Sequence, residues 1–197
     1  MKILAIEQIC DASLNVQPTT YACACYPDSS LLRNNDDFYI PNFCDTIIAY
    51  AGVYVKISKI GKCIEPMFVH RYISEIGVAI NFFAQNMLQT LHAEGKSTDI
   101  ARGFDKSFAV STARLPYHEC CESLSLKIEY SHQNFLLPLT YISSIFNECI
   151  SVLSSYYMLK IGDYVFVPLH CIKKLDIDDK IHLSFSQQKV ALHCKIQ

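Results

Sequence analysis

Tryptophan is absent from this chain of 197 residues, so aromatic packing falls to 12 tyrosines and 11 phenylalanines. No apolar stretch approaches the ~18 consecutive residues that would cross a bilayer, which excludes a membrane-spanning helix. Lys and Arg form neither a run nor a stripe, and the net charge is -2. That balance excludes the electrostatic footprint of nucleic-acid binding. Zinc-type spacing is also missing, because none of the ten cysteines falls in a CxxC pair. Acidic residues are absent from one long interval, between Asp45 and Glu65. The opening Met1-Lys2-Ile3-Leu4-Ala5-Ile6 is broken by Glu7. This run is too short for a secretory signal, so a cytoplasmic protein with reduced, mostly buried thiols is expected.

The apolar fraction of 51% and charged fraction of 18% are those of a globular protein. The length suits one domain, residues 1–197, with a substantial core. Residues 1–6 and 20–26 read as strands, the second placing Cys23 and Cys25 on one face. Residues 27–45 are rich in Pro, Asn and Asp and read as loop. Over residues 46–57 Ile47, Ala49, Ala51, Val53, Val55 and Ile57 take one face of a strand. A turn around Gly61 leads to residues 66–75, which read as a helix. Pro66 suits its first turn, and Phe68, Val69, Tyr72, Ile73 and Ile76 form its stripe. In the second half, residues 122–130 alternate and residues 141–156 form an amphipathic helix. Gly162-Asp163 turns into a strand at 164–167, and strands at 181–185 and 189–196 follow. Strands with two or three helices that do not alternate regularly imply an α+β fold.

Six segments, in order and spanning nearly the whole chain, carry a resemblance. They are Tyr26-Pro27-Asp28-Ser29-Ser30-Leu31-Leu32 with Phe38-Tyr39-Ile40-Pro41; Val55-Lys56-Ile57 with Gly61-Lys62-Cys63-Ile64; Arg71-Tyr72-Ile73; Glu75-Ile76-Gly77; Gly103-Phe104-Asp105-Lys106-Ser107-Phe108; and Leu159-Lys160-Ile161-Gly162-Asp163 with Val165-Phe166. Together they resemble the catalytic domain of the fumarylacetoacetate hydrolase family. The resemblance implies that family's mixed β-sheet barrel or roll with a few flanking helices, and the homodimer common among its members. It also implies chemistry at one Mg²⁺ or Mn²⁺. Two glutamates at i, i+2 on the central strand and one aspartate hold the ion, which polarises a 2-oxo or enol acid.

Those ligands are replaced here. The two glutamate positions fall on Tyr50 and Gly52, and the aspartate position on Asn81. Lysines of the family correspond to Tyr26 and to Arg102, which keeps the charge without the geometry. The substrate loop corresponds to Val167-Pro168-Leu169-His170, and the region of the N-terminal acid–base histidine to Cys10 and Ser13. Asp105 survives, and reads either as a carboxylate that fixes its turn or as a solvated loop acid. Tyr50 and Tyr54 are expected to fill the former site, leaving it smaller, drier and neutral.

Other groups could in principle rebuild a site. His170 sits at the substrate-loop position, but no proton partner is evident. His182 and His193 would flank each other if the C-terminal strands pair. His70 reads as a solvated or capping residue, and His118-Glu119-Cys120-Cys121 as loop. The first reading of function is a family member without metal and without cofactor, acting as a binding, scaffolding or partner subunit. It would work as a homodimer or beside an active paralogue, with a small carboxylic acid as the expected ligand class. The second is an enzyme with a rebuilt site that hydrolyses, decarboxylates or isomerises 2-oxo or 2-hydroxydienoic acids.

Overall fold

A computed structural model describes residues 1–7, 22–117, 123–186 and 188–197. Cys10, Ser13 and the His118–Cys121 cluster fall outside them. Two sheets and two α-helices make up the described structure. The strands are β1 (Lys2–Glu7), β2 (Ala22–Pro27), β3 (Leu31–Leu32), β4 (Ile47–Ile57), β5 (Ile73–Ala84), β6 (Phe108–Val110), β7 (Leu115–Pro116), β8 (Ser125–Tyr130), β9 (Gln133–Pro138), β10 (Tyr164–Leu175), β11 (Lys180–Phe185) and β12 (Ala191–Lys195). The helices are α1 (Gln85–Ala93) and α2 (Ile142–Tyr156). The larger sheet is curled and mixed, in the order β2-β1-β10-β4-β5-β6-β3, with β7 also on β5. Among the described strands, only β1–β10 and β3–β6 pair in parallel. The smaller sheet runs β12-β11-β8-β9. The expected α+β roll is the fold observed.

The main core lies where the larger sheet, the smaller sheet and α2 meet. β4 turns Ile47, Ala49, Ala51, Val53, Val55 and Ile57 into it, as the alternation requires. β8, β11 and α2 answer with Leu126, Ile128, Leu183, Phe146 and Leu153. Each such aliphatic or aromatic side chain contributes about 1.5–3 kcal/mol on leaving water. The turn after β4 is fastened to α2: the Cys63 N–H donates to the Ser154 carbonyl (3.0 Å) and the Ile64 N–H to the Ser154 hydroxyl (2.8 Å).

The helix expected over 66–75 is shorter than the pattern suggested. A 3₁₀ turn covers Pro66–Arg71, with Pro66 in its first turn and His70 exposed at its end. Ile73 and Ile76 belong instead to β5, whose run ISEIGVAINFFA is covered on both faces. A strand buried on both sides has no polar face to produce alternation, so its apolar spacing also satisfies a helical stripe.

Asp163 ties β1 to the turn before β10. Its buried carboxylate accepts from the Lys2 backbone N–H (3.0 Å), the Lys160 N–H (2.8 Å) and the Lys2 ammonium. The Gly-Asp turn read from the sequence is therefore also the anchor of the first strand.

Candidate functional site

The face of β4 turned away from the main core carries Tyr50, Gly52 and Tyr54. Neighbouring strands place Asn81 opposite Tyr50, and Ala79 and Pro168 opposite Gly52. A second cluster of buried side chains fills this face: Tyr26, Tyr54, Phe108 and Phe166, among the small residues Ala5, Ala24 and Ala79. Phe108 sits edge-on to Phe166 at 5.0 Å between ring centroids and tilted against Tyr26 at 5.8 Å. Rings spaced this way add roughly 0.5–1.5 kcal/mol per pair beyond their burial. Tyr54 is fully buried within this cluster.

Gly52 is held by close approach. A β-carbon there would overlap the Val167 carbonyl oxygen and lie 3.0 Å from both Phe166 Cε2 and Pro168 Cα. The cause is local to β10, whose register on β4 shifts between Pro168 and His170. A bulge tolerates a proline in a central strand, since that residue offers no N–H to the ladder. Gly77, opposite Tyr54, is constrained similarly, because a β-carbon there would press on the Tyr54 ring at 2.6 Å.

Asn81 is 1% exposed, and its Nδ2 donates to the Ser107 carbonyl at 3.2 Å. Ser107 in turn donates from its hydroxyl to the Arg102 carbonyl at 2.9 Å. Tyr50 packs edge-on against Phe83 at 5.1 Å, and the Arg102 guanidinium lies over the same ring at 5.7 Å. Tyr50 also hydrogen-bonds the Cys171 thiol across the β4–β10 pairing. Burial lowers the Arg102 pKa and raises that of the Tyr26 phenol. The structure thus gathers Tyr50, Asn81 and Arg102 around Phe83 and Ser107, with Gly52 and Tyr26 on the same side of the sheet.

Asp105 stands apart and is exposed. Its turn is fixed by other groups. The Ser30 hydroxyl donates to the Gly103 carbonyl (3.1 Å), the Gly103 N–H to the Asp99 carbonyl (2.7 Å) and the Lys106 N–H to the Ser29 carbonyl (3.1 Å). The expected structural role of the Asp105 carboxylate falls to Ser30 and Ser107 instead.

His170 has a neighbour that the sequence did not reveal. Its Nε2 lies 3.4 Å from the Tyr130 hydroxyl, and its ring is 4.3 Å from that of Phe135. Both partners pack on the main core, the face opposite Tyr50. His170 therefore belongs to the seam between the sheets. The sequence also gave no sign of Arg114. It donates from Nε to the Tyr54 hydroxyl (2.8 Å) and from Nη2 to the Tyr164 hydroxyl (3.2 Å), closing one end of the aromatic cluster. Near the other motifs, a cavity of about 490 Å³ is lined by Cys25, Pro27, Asp99, Ile100, Gly103 and Phe104 among others.

The residues at the three positions that the resemblance assigns to metal ligands, Tyr50, Gly52 and Asn81, do not fit Mg²⁺ or Mn²⁺. A hard ion needs several anionic oxygens in near-octahedral array. Here the positions offer a phenol, no side chain, and an amide whose N–H₂ end is turned to a carbonyl.

The chain has the fold of the fumarylacetoacetate hydrolase family. No family model matches the sequence, and no curated protein matches it. Among solved structures, it is similar to fumarylpyruvate hydrolase from Pseudomonas aeruginosa, a complex with Mn²⁺ and pyruvate, with a TM-score of 0.83 at 13% identity over 100% of this chain and 89% of that one. A fumarylacetoacetate hydrolase family protein from Yersinia pestis CO92 gives 0.83 at 16% identity, over 100% and 92%. The 5-carboxymethyl-2-hydroxymuconate delta-isomerase of Mycobacterium smegmatis gives 0.80 at 14%, over 99% and 78%.

Proposed function

We propose that this chain is a fumarylacetoacetate hydrolase relative that has given up metal-dependent catalysis and acts as a binding or subunit-type protein. The observation that carries this reading is Gly52. A glutamate there would need space already held by the Val167 carbonyl and Phe166. The backbone has closed over one ligand position, and the side chain at another, Asn81, has been turned to a structural bond. Both changes work against a carboxylate, and Tyr50 supplies none.

The one-domain chain acts in the cytoplasm as a homodimer, or as a partner of an active relative. A small carboxylic acid is the ligand class its relatives suggest. Purified protein, assayed with fumarylpyruvate and millimolar Mn²⁺, should release no pyruvate above background, while light scattering should report a dimer. Metal-dependent turnover that survives Asn81→Ala would identify a rebuilt catalytic site and overturn the reading. A monomer by light scattering would remove the homodimer.

A further inference from the structure

On the smaller sheet, far in sequence from the Tyr50 cluster, His182 of β11 and His193 of β12 are direct cross-strand partners. Their Nδ1 atoms lie 2.8 Å apart and their ring centroids 4.0 Å. His193 is exposed and His182 half-buried, so ions can reach them from solvent. The opposite nitrogen of His182, Nε2, lies 3.8 Å from Glu129 Oε2 on β8. β8 also pairs directly with β11, bringing Glu129 opposite His182. The His193 backbone N–H is bonded to Asn35 Oδ1 at 3.1 Å, which steadies the outer strand.

We propose that His182 and His193 form a chelating site for a borderline divalent transition ion, Zn²⁺ or an ion of similar preference. Two imidazole nitrogens on paired strands already lie in contact, so a divalent ion that replaces the proton between them can be held by both, and imidazole suits this class of ion. A carboxylate behind one imidazole is the arrangement that fixes a metal-ligating tautomer. The Glu129 carboxylate, 3.8 Å from Nε2, favours the His182 proton on that nitrogen and so leaves Nδ1 as the acceptor. In the empty pair His193 then carries its proton on Nδ1 and donates it to His182 Nδ1 at 2.8 Å; on binding, the ion displaces that proton and His193 is protonated on Nε2 instead. The two nitrogens must part slightly, because each bond to zinc is about 2.0–2.1 Å long. The His193 side chain is exposed and can rotate to make this room while its strand stays in place.

Glu129 is shared with Lys127, whose ammonium is 2.8 Å away, so the carboxylate orients rather than ligates. Among the described residues no group of three His, Cys, Asp or Glu side chains is placed to hold an ion. Water therefore fills the remaining positions, and a space of about 410 Å³ beside Glu129 and His182 has room for it. An open coordination sphere makes this an exchangeable site, unlike a closed four-ligand structural zinc.

The test is a titration of the full chain with ZnCl₂, followed by calorimetry and by the imidazole nitrogen resonances in NMR. One ion per chain should bind, and the ring signals of His182 and His193 should move together. His193→Gln, at an exposed edge position that does not endanger the fold, should abolish both responses. Glu129→Gln should weaken binding by about tenfold while the ring signals still respond. Zinc heat that persists unchanged in His193→Gln, with the two rings unperturbed in the wild type, would place the ion on thiols elsewhere and overturn the site. No saturable binding up to millimolar Zn²⁺ would reduce the pair to a proton-sharing hydrogen bond, and would overturn it equally.

Discussion

Asn81 shows how one heteroatom redirects a position. Its amide N–H₂ donates to the Ser107 carbonyl from a place almost without solvent. An aspartate of the same size would set a carboxylate oxygen against that carbonyl, while the nearby Arg102 guanidinium is stacked over Phe83. Asn81→Asp should therefore lower stability by about 3 kcal/mol at neutral pH, through a buried charge without a donor. Added Mg²⁺ should not restore the loss, because a single carboxylate does not make a hard-ion site. Chemical denaturation with and without the ion measures both effects. Gly52→Ala should cost about 2–4 kcal/mol through overlap with the β10 backbone. Asp105 provides the contrast. It is exposed, and Asp105→Ala should move the denaturation midpoint by less than about 0.5 kcal/mol. Its place in a recognisable Gly-Phe-Asp motif made a structural role reasonable from sequence. Only the neighbouring serine hydroxyls, bonded across residues distant in the chain, reveal what holds the turn.

At the scale of elements, β1 and β10 are joined through Asp163, which gathers three donors from two ends of the chain. Asp163→Ala would leave the Lys2 and Lys160 N–H groups without their acceptor and leave the Lys2 ammonium only the Met158 carbonyl, 2.8 Å away. A loss of about 2–4 kcal/mol is expected, tempered by the partial exposure of Lys2. The seam between the sheets gives a pH signature. Burial lowers the pKa of His170. As pH falls, the unfolded chain binds the proton first, near its ordinary value of about 6.5. The contribution is complete above that pH and is lost progressively below it. His170→Phe should flatten this acid-side decline in a series of thermal melts, and an unchanged pH profile would remove His170 as its cause. Elements with one wet face, β8, β11 and α2, were legible from sequence, and β4, covered on both faces, was legible because its aliphatic residues alternate with Tyr50, Gly52, Tyr54 and Lys56. β5 was not, since its two covered faces erase the polar half of the pattern. Nor were β9 and α1, in which no residue is fully buried.

For the whole molecule, the resemblance carried by six short segments led to the correct fold at sequence identities of 13–16% to such structures as the Pseudomonas and Yersinia proteins. Those segments are turns, bulges and strand ends. Their glycines, prolines and short polar residues answer to backbone geometry, and they persist while buried side chains exchange freely. The aromatic filling of the second face was only partly legible. Tyr50 and Tyr54 were visible as replacements, but the roles of Phe108, Phe166 and Arg114 depend on strand order, which no local pattern encodes. The same is true of His182 and His193, whose convergence depends on the register of two strands. The central claim is that this fold stands here without its hard-metal centre. Calorimetric titration of the purified chain with millimolar MgCl₂ tests it most directly, because Mg²⁺ favours oxygen ligands and leaves the histidine pair aside. The account predicts no saturable heat beyond dilution, in the wild type and in Asn81→Ala alike. A stoichiometric binding isotherm in the wild type that disappears in Asn81→Ala would contradict it.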